Sequence, residues 1–193
     1  MRLRAPSVEV PVGIANWARL VEAARKSADL RLRIVASIDG LEDRDGVYSS
    51  HEVIPLETLV EQARGSTDPM VLSMLVGRCS ESAKPPRCDT QDLAERWTVA
   101  DTQNQKAWLT LAAVLQQKGD LPAARAAFER ASRASTWHEH NDDIARVIAA
   151  TIPRTWPPLA RMHGLEATLG IAAARNISPS PFSYLTQQCK DPS

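Results

Sequence analysis

Apolar residues recur along most of this chain at intervals of three and four, which places them on one face of an α-helix. Near the start, Ile14, Trp17, Val21 and Ala24 follow this spacing and predict a helix over residues 14–28. Because similar stretches continue almost to the end of the sequence, the pattern predicts an all-α protein.

Residues 30–38 fit two interpretations. Leu30, Leu32 and Ile34 alternate with arginines, as the residues of an edge strand do. The surrounding segments are predicted helices, and Gly40 is a suitable helix end. A short helix is therefore favoured, with an edge strand as the open alternative.

Prolines, glycines and capping acids set the ends of the next helices. The segment 55–64 begins with proline and is followed by glycine, which predicts one helix. Asp68 precedes a proline and is expected to cap a helix over 69–82. Asp89 is expected to cap the following helix, which ends near residue 100.

The helical pattern is clearest between residues 104 and 134. One helix is predicted over 104–118, Gly119 ends it, and Asp120 caps a second helix over 121–134. The positions expected to face inward are Ala107, Trp108, Leu111, Ala112 and Leu115 on the first helix and Ala124, Ala127, Phe128 and Ala131 on the second.

These inward positions, with the Gly-Asp turn, resemble a tetratricopeptide repeat (TPR). The match covers residues 105–138, although Thr136 stands near the place of the proline that often closes the repeat. Residues 68–100 are a looser version at the same period, since Met74 precedes Trp108 by 34 positions. The resemblance implies antiparallel helix pairs in a short TPR-like α-solenoid, because one repeat cannot bury both of its faces.

Two regions follow from this assignment. Residues 1–66 form an N-terminal helical segment with an irregular arm and an acidic loop near 39–50. Residues 67–193 form the TPR-like region, closed by C-terminal capping helices. The first helix after the good repeat is expected to be capped by Asn141 or Asp142.

The TPR resemblance also implies a function. Such repeats act as non-catalytic scaffolds for protein–protein interaction, with a groove lined by the first helix of each pair. Polar residues that face away from the packing positions are the candidates to line this groove: Asn104, Lys106, Thr110 and Gln117. The expected partner is a peptide or another protein.

Two cysteines bracket a polar turn between predicted helices. Cys79 and Cys88 can reach disulfide geometry across such a turn, and the alternative is two free thiols. Disulfides persist mainly outside the cytosol. The sequence starts without an apolar leader, so the default expectation is a cytoplasmic protein. An oxidised pair would instead favour a periplasmic or envelope location, and hence an exported bacterial helical protein.

Composition and charge exclude several classes of protein. Hydrophobic residues make up 44% of the chain, which is ordinary for a globular protein. Twenty-three basic residues balance 23 acidic ones, so a protein that binds nucleic acid through phosphate contacts is not expected. No apolar run approaches the ~20 residues that a membrane-spanning helix needs.

Arginines are clustered along the second repeat helix and beyond it. Arg125, Arg130, Arg133 and Arg146 are interpreted as a solvated helix face. The alternative is an anion-binding strip for an acidic peptide, since planar guanidinium groups pair well with carboxylates.

The densest set of possible metal ligands follows the repeat. His138 and His140 could bind a metal with Asp142 or Asp143, which would make the chain a metal-dependent enzyme. A histidine pair in a loop is a weak signal, and acids in the first turn of a helix are favoured electrostatically. The structural interpretation is preferred, so no metal and no cofactor are expected. The sequence also has no nucleophile elbow, phosphate-binding loop or zinc-protease motif, which favours a non-enzyme.

Overall fold

The computed structural model describes residues 20–37, 54–81, 88–162 and residue 164. The expected arm, the acidic loop and the last predicted helices fall wholly or largely outside these residues. Seven helices have defined bounds: α1 Leu30–Ala36, α2 Leu56–Gln62, α3 Pro69–Glu81, α4 Thr90–Ala100, α5 Gln105–Gln117, α6 Leu121–Arg133 and α7 Asn141–Ala150. Residues 20–25 and 158–162 are also helical. The described segments contain no strand, so the protein is all-α as predicted.

Helix α1 resolves the ambiguous segment in favour of a helix. Asp29 caps it, since the Asp29 carboxylate accepts a hydrogen bond from the backbone N–H of Arg31. Leu32, Ile34 and Val35 are buried, and α1 packs against α2, α3 and α7. Because this helix is buried on more than one side, the alternation of apolar residues with arginines does not indicate an edge strand here.

Most of the predicted helix starts are confirmed. Asp68, Asp89 and Asp120 accept backbone N–H groups at the starts of α3, α4 and α6. Gly119 has a φ of 83°, a left-handed conformation that glycine adopts without steric cost. Asn104 is the N-cap of α5.

The predicted start of α7 is wrong. Its N-cap is His140 rather than Asn141 or Asp142, and the His140 side chain makes no capping hydrogen bond. The backbone of His140 is left-handed, with a φ of 60°. His140 contacts His138 and Asp143, which line a cleft beside the start of α7.

Consecutive helices pack on one another from α3 to α6. Helix α3 packs on α4, α4 on α5, and α5 on α6. Only residues 118–120 separate α5 from α6, so these two helices must run antiparallel. Alanines lie at their interface: Ala107, Ala112, Ala124, Ala127 and Ala131 are all buried. Small side chains let the two backbones approach closely.

The large aromatic residues of the repeat-like region differ in burial. Trp97 of α4 is fully buried, whereas Trp108 and Phe128 are only partly buried. The guanidinium carbon of Arg130 lies over the Trp108 ring, 5.2 Å from the ring centroid. This distance is within the range of a cation–π contact.

One hydrophobic core includes residues from both regions defined in the sequence. It extends from Val21 through α1 and α2 into α3, α4 and α5, and it reaches Ile144 and Ile148 of α7. Residues 1–66 therefore do not pack as a separate unit where the structure describes them; the boundary marks a change in sequence pattern.

Cys79, in the last turn of α3, and Cys88, just before α4, form a disulfide. Cys79 is buried and belongs to the hydrophobic core. The described helices are all too short or too polar to cross a membrane.

Candidate functional site: a cleft at the starts of α3 and α7

An open cleft of about 410 Å³ lies where three interhelical segments meet. Asp68 comes from the segment before α3, Asp101 from the segment before α5, and His138 and His140 from the segment before α7. The remaining lining residues are Arg31, Pro69, Met70, Asp143, Arg146 and Val147.

Two of these segments are joined directly through their backbones. The N–H of Gln105 donates to the carbonyl of Thr136 at 2.8 Å, and the N–H of Thr136 donates to the carbonyl of Gln103 at 2.9 Å. Together these bonds form a short parallel bridge between Asn104 and Thr136. These bonds fix the position of the segment that carries Asp101 relative to the segment that carries His138.

Asn104 strengthens this junction with its side chain. Its Nδ2 donates to Asp101 Oδ2 at 2.8 Å and to the carbonyl of His138 at 2.9 Å. Its Oδ1 accepts the backbone N–H groups of Lys106 and His138, both at 3.1 Å. Asn104 is fully buried, and all four of its hydrogen-bonding positions are used.

Lys106 holds the same loop from the side of α5. Its Nζ lies 3.0 Å from Glu139 Oε1, and only 3% of the Lys106 side chain is exposed. A buried ammonium group needs such a partner, because desolvation of an unpaired charge is strongly unfavourable.

The prediction that Asn104, Lys106 and Thr110 line an open groove is wrong, because all three are buried. The loop 134–140 returns across the start of α5 and covers the first two of these residues. Gln117, near the other end of α5, is exposed as expected but lies away from the cleft.

The two histidines and two aspartates form a compact cluster. Asp143 Oδ2 lies 3.1 Å from His138 Nε2 and 3.2 Å from His140 Nδ1. His140 Nε2 lies 3.5 Å from Asp101 Oδ2. The imidazole rings of His138 and His140 are in contact, with centroids 4.1 Å apart.

His140 is the most buried member of the cluster, with 3% of its side chain exposed. Burial lowers the pKa of His140, and the hydrogen bond to Asp143 only partly opposes this shift. The neutral imidazole is therefore favoured near neutral pH. With Nδ1–H donating to Asp143, the lone pair of His140 lies on Nε2.

Three residues have the arrangement of metal ligands. One ligand atom each from Asp101, His138 and His140 can be chosen so that all three atoms lie within 4.8 Å of one another. The sequence pointed to both histidines and, among the neighbouring acids, to Asp142 or Asp143. The structure brings Asp143 into the cluster, while Asp142 is exposed and outside the cleft.

Charges of both signs surround the cluster. Arg31 makes a two-point ion pair with Asp29, with Nη2 2.7 Å from Oδ2, and this guanidinium lowers the pKa of Asp29. Arg146 contacts Asp143 at 3.6 Å and remains 79% exposed. Of the four clustered arginines, only Arg146 lines the cleft, since Arg125, Arg130 and Arg133 lie on the exposed surface of α6.

Comparisons with protein-family models, with curated proteins and with solved structures gave no significant match. The resemblance to tetratricopeptide repeats therefore stays a prediction from the sequence pattern.

Proposed function

We propose that this protein is a non-catalytic interaction scaffold whose TPR-like helix pairs present the cleft to a segment of a partner protein. The observation that carries the proposal is the construction of the cleft from the segments before α3, α5 and α7. In a stack of helix pairs, equivalent segments of successive repeats lie side by side. A site built from such segments is open to solvent and rests on rigid helices.

The lining of the cleft favours a partner of mixed character. Pro69 and Val147 supply apolar surface, Arg31 and Arg146 supply positive charge, and Asp68, Asp101 and Asp143 supply negative charge. We infer a peptide segment that places an apolar side chain between charged groups. The Arg146 side chain is 79% exposed and lies 3.6 Å from Asp143, so its guanidinium is accessible to a partner carboxylate.

The test is selection of peptides from a random library on the purified full chain, followed by affinity measurement with single variants. Arg146→Glu reverses a charge at the edge of the cleft and is expected to weaken binding at least about tenfold. Arg133→Glu, on the outer surface of α6, is the matched control and is expected to leave affinity unchanged.

Two results would contradict this function. Equal affinity of the Arg146→Glu variant and the unmodified chain would place the peptide outside the cleft. A loss of affinity with Arg133→Glu alone would support the arginine strip on α6 as the binding surface.

A second proposal concerns the compartment in which the scaffold works. The Cys79–Cys88 disulfide favours an oxidising location, such as the bacterial periplasm or envelope, over the default cytoplasmic expectation. Trapping thiols with a maleimide in intact cells, followed by peptide mass mapping, tests this directly. We expect a linked 79–88 peptide without label, whereas two labelled cysteines would favour the cytoplasm.

A further inference from the structure

We propose that Asp101, His138 and His140 bind one transition-metal ion of the zinc type, with Asp143 orienting His140. The proposal concerns an ion rather than a partner protein, so it stands or falls independently of the scaffold function.

The spacing of the donor atoms supports one shared ion. Two ligands of a tetrahedral zinc ion, each about 2.0–2.2 Å from the metal, lie roughly 3.3–3.6 Å apart. His140 Nε2 and Asp101 Oδ2 are separated by 3.5 Å. The donor atom of His138 lies within 4.8 Å of both, so a small rotation of its exposed side chain completes the set.

An unpartnered buried atom points to the same position. His140 Nε2 is buried and has no hydrogen-bond partner among the described residues. The 3.5 Å contact with Asp101 is too long for a well-formed hydrogen bond. Buried polar atoms without partners are rare in folded proteins and require an explanation. A metal ion between Nε2 and Asp101 supplies one.

The surrounding residues hold the ligands as they are held in known metal sites. Histidine ligands usually donate their second ring nitrogen to a carboxylate, which fixes the ring. Asp143 has this relation to His140 through Nδ1 at 3.2 Å. The Asn104 amide donates to Asp101 Oδ2 and to the backbone carbonyl of His138, which restricts the positions of these two ligands.

The chemistry of the donors limits the choice of metal. Two imidazole nitrogens and one carboxylate oxygen suit Zn²⁺, Co²⁺ or Ni²⁺, whereas Ca²⁺ and Mg²⁺ prefer sites made of oxygen atoms. Three protein ligands leave a fourth tetrahedral position for water or for another group.

The backbone of His140 provides independent support. Its φ of 60° is uncommon for a residue other than glycine, and such conformations cluster at functional sites. Here the left-handed turn brings His140 next to His138, with their rings 4.1 Å apart.

The experiment uses the untagged full chain, stripped of metal with a chelator and dialysed. Calorimetric titration with Zn²⁺ is expected to show one ion per chain, and titration with Co²⁺ is expected to give the intense visible absorption of a tetrahedral site. His138→Gln and Asp101→Asn should each weaken Zn²⁺ binding at least about tenfold, and Asp143→Asn should weaken it about 10–100-fold. Asp142→Asn removes a nearby exposed acid outside the cleft and serves as the matched control.

The variants distinguish metal binding at this site from a general effect of negative charge on the affinity for Zn²⁺. His138→Gln changes a half-exposed side chain, so circular dichroism and thermal unfolding should show that this variant stays folded. The absence of stoichiometric binding would overturn the proposal. So would equal affinities of the unmodified chain and a folded His138→Gln variant, or equal losses with Asp142→Asn and Asp101→Asn. Calcium should give no stoichiometric binding, and tighter binding of Ca²⁺ than of Zn²⁺ would also overturn the assignment.

Discussion

Asn104 is the residue on which the geometry of the cleft depends most. It caps α5 and at the same time connects Asp101 with the backbone of His138. Both contacts are made by one buried amide group, whose loss leaves several polar atoms without partners. The stability of the helix start and the shape of the cleft are therefore linked through a single side chain.

We expect Asn104→Ala to lower the free energy of unfolding by about 2–3 kcal/mol, because it removes a helix cap and leaves buried polar groups unpaired. Urea unfolding followed by circular dichroism measures this change. Gln117→Ala, at an exposed position of the same helix, should change stability by less than about 0.5 kcal/mol. Similar losses for the two variants would show that Asn104 has no special role.

At the scale of residues, the sequence revealed the site only in part. His138 and His140 were recognisable because they lie close together beside acids in a loop. Asp101 was missed, since its contact with His140 depends on how two distant loops pack. One signal was available: Asn104 and His138 are 34 residues apart, which is one repeat period, and they are in contact. Successive repeats place equivalent positions side by side.

At the scale of helices, local chemistry was a reliable guide to where each helix starts. Asp68, Asp89 and Asp120 were predicted as caps because a carboxylate can accept nearby backbone N–H groups without help from the rest of the fold. The start of α7 was predicted wrongly. There His140 is held in a buried position against Trp97 and Asp143, and these tertiary contacts decide where the helix begins.

The cap of α4 leads to an expected dependence of stability on pH. A hydrogen bond from the backbone N–H of Asp92 lowers the pKa of Asp89, and nearby Lys118 adds to the effect. A carboxyl group whose pKa is lower in the folded chain contributes stability above its unfolded pKa of about 3.9. That contribution is lost as the pH falls through the folded value.

Comparing the unmodified chain with Asp89→Asn by urea unfolding at several pH values tests this expectation. The unmodified chain should be the more stable above about pH 5, and the difference should shrink steadily below about pH 4. A difference that stays constant down to pH 2 would contradict the assigned role of the Asp89 charge.

The disulfide connects α3 to α4 across a sequence separation of nine residues. Closing a loop of this length in the unfolded chain is expected to stabilise the fold by about 2–3 kcal/mol. We expect Cys79→Ala with Cys88→Ala to lower the free energy of unfolding by roughly this amount. Adding a reductant should destabilise the unmodified chain and leave the double variant unchanged. Equal sensitivity of both proteins to the reductant would contradict a role for this bond.

At the scale of the whole molecule, the helical class and most helix bounds followed from the spacing of apolar residues. Ala107, Ala112, Ala124 and Ala131 face inward in the structure as the repeat-like pattern predicts. What could not be predicted was the packing of the first helices: α1 contacts α3 and α7, two helices that are far apart in the sequence. Its position against α7 brings Arg31 to the edge of the cleft.

The same long-range packing explains why the predicted groove was misplaced. The TPR resemblance predicts that polar residues of α5 line the groove. In the structure, the loop 134–140 covers the start of this helix. The exposed surface there is therefore formed by residues of the loop and not by residues of α5. Polar side chains that were predicted to face a partner are instead buried and hold the loop in place. The ion pair of Lys106 with Glu139 is an example.

The proposed function requires that partner segments bind in the cleft formed by the segments before α3, α5 and α7. Hydrogen–deuterium exchange of the full chain, with and without the tightest-binding peptide from the library, tests it most directly. We expect the bound peptide to slow exchange in residues 66–71, 99–104 and 136–147 together. Slower exchange confined to α6, with these three segments unchanged, would contradict the claim.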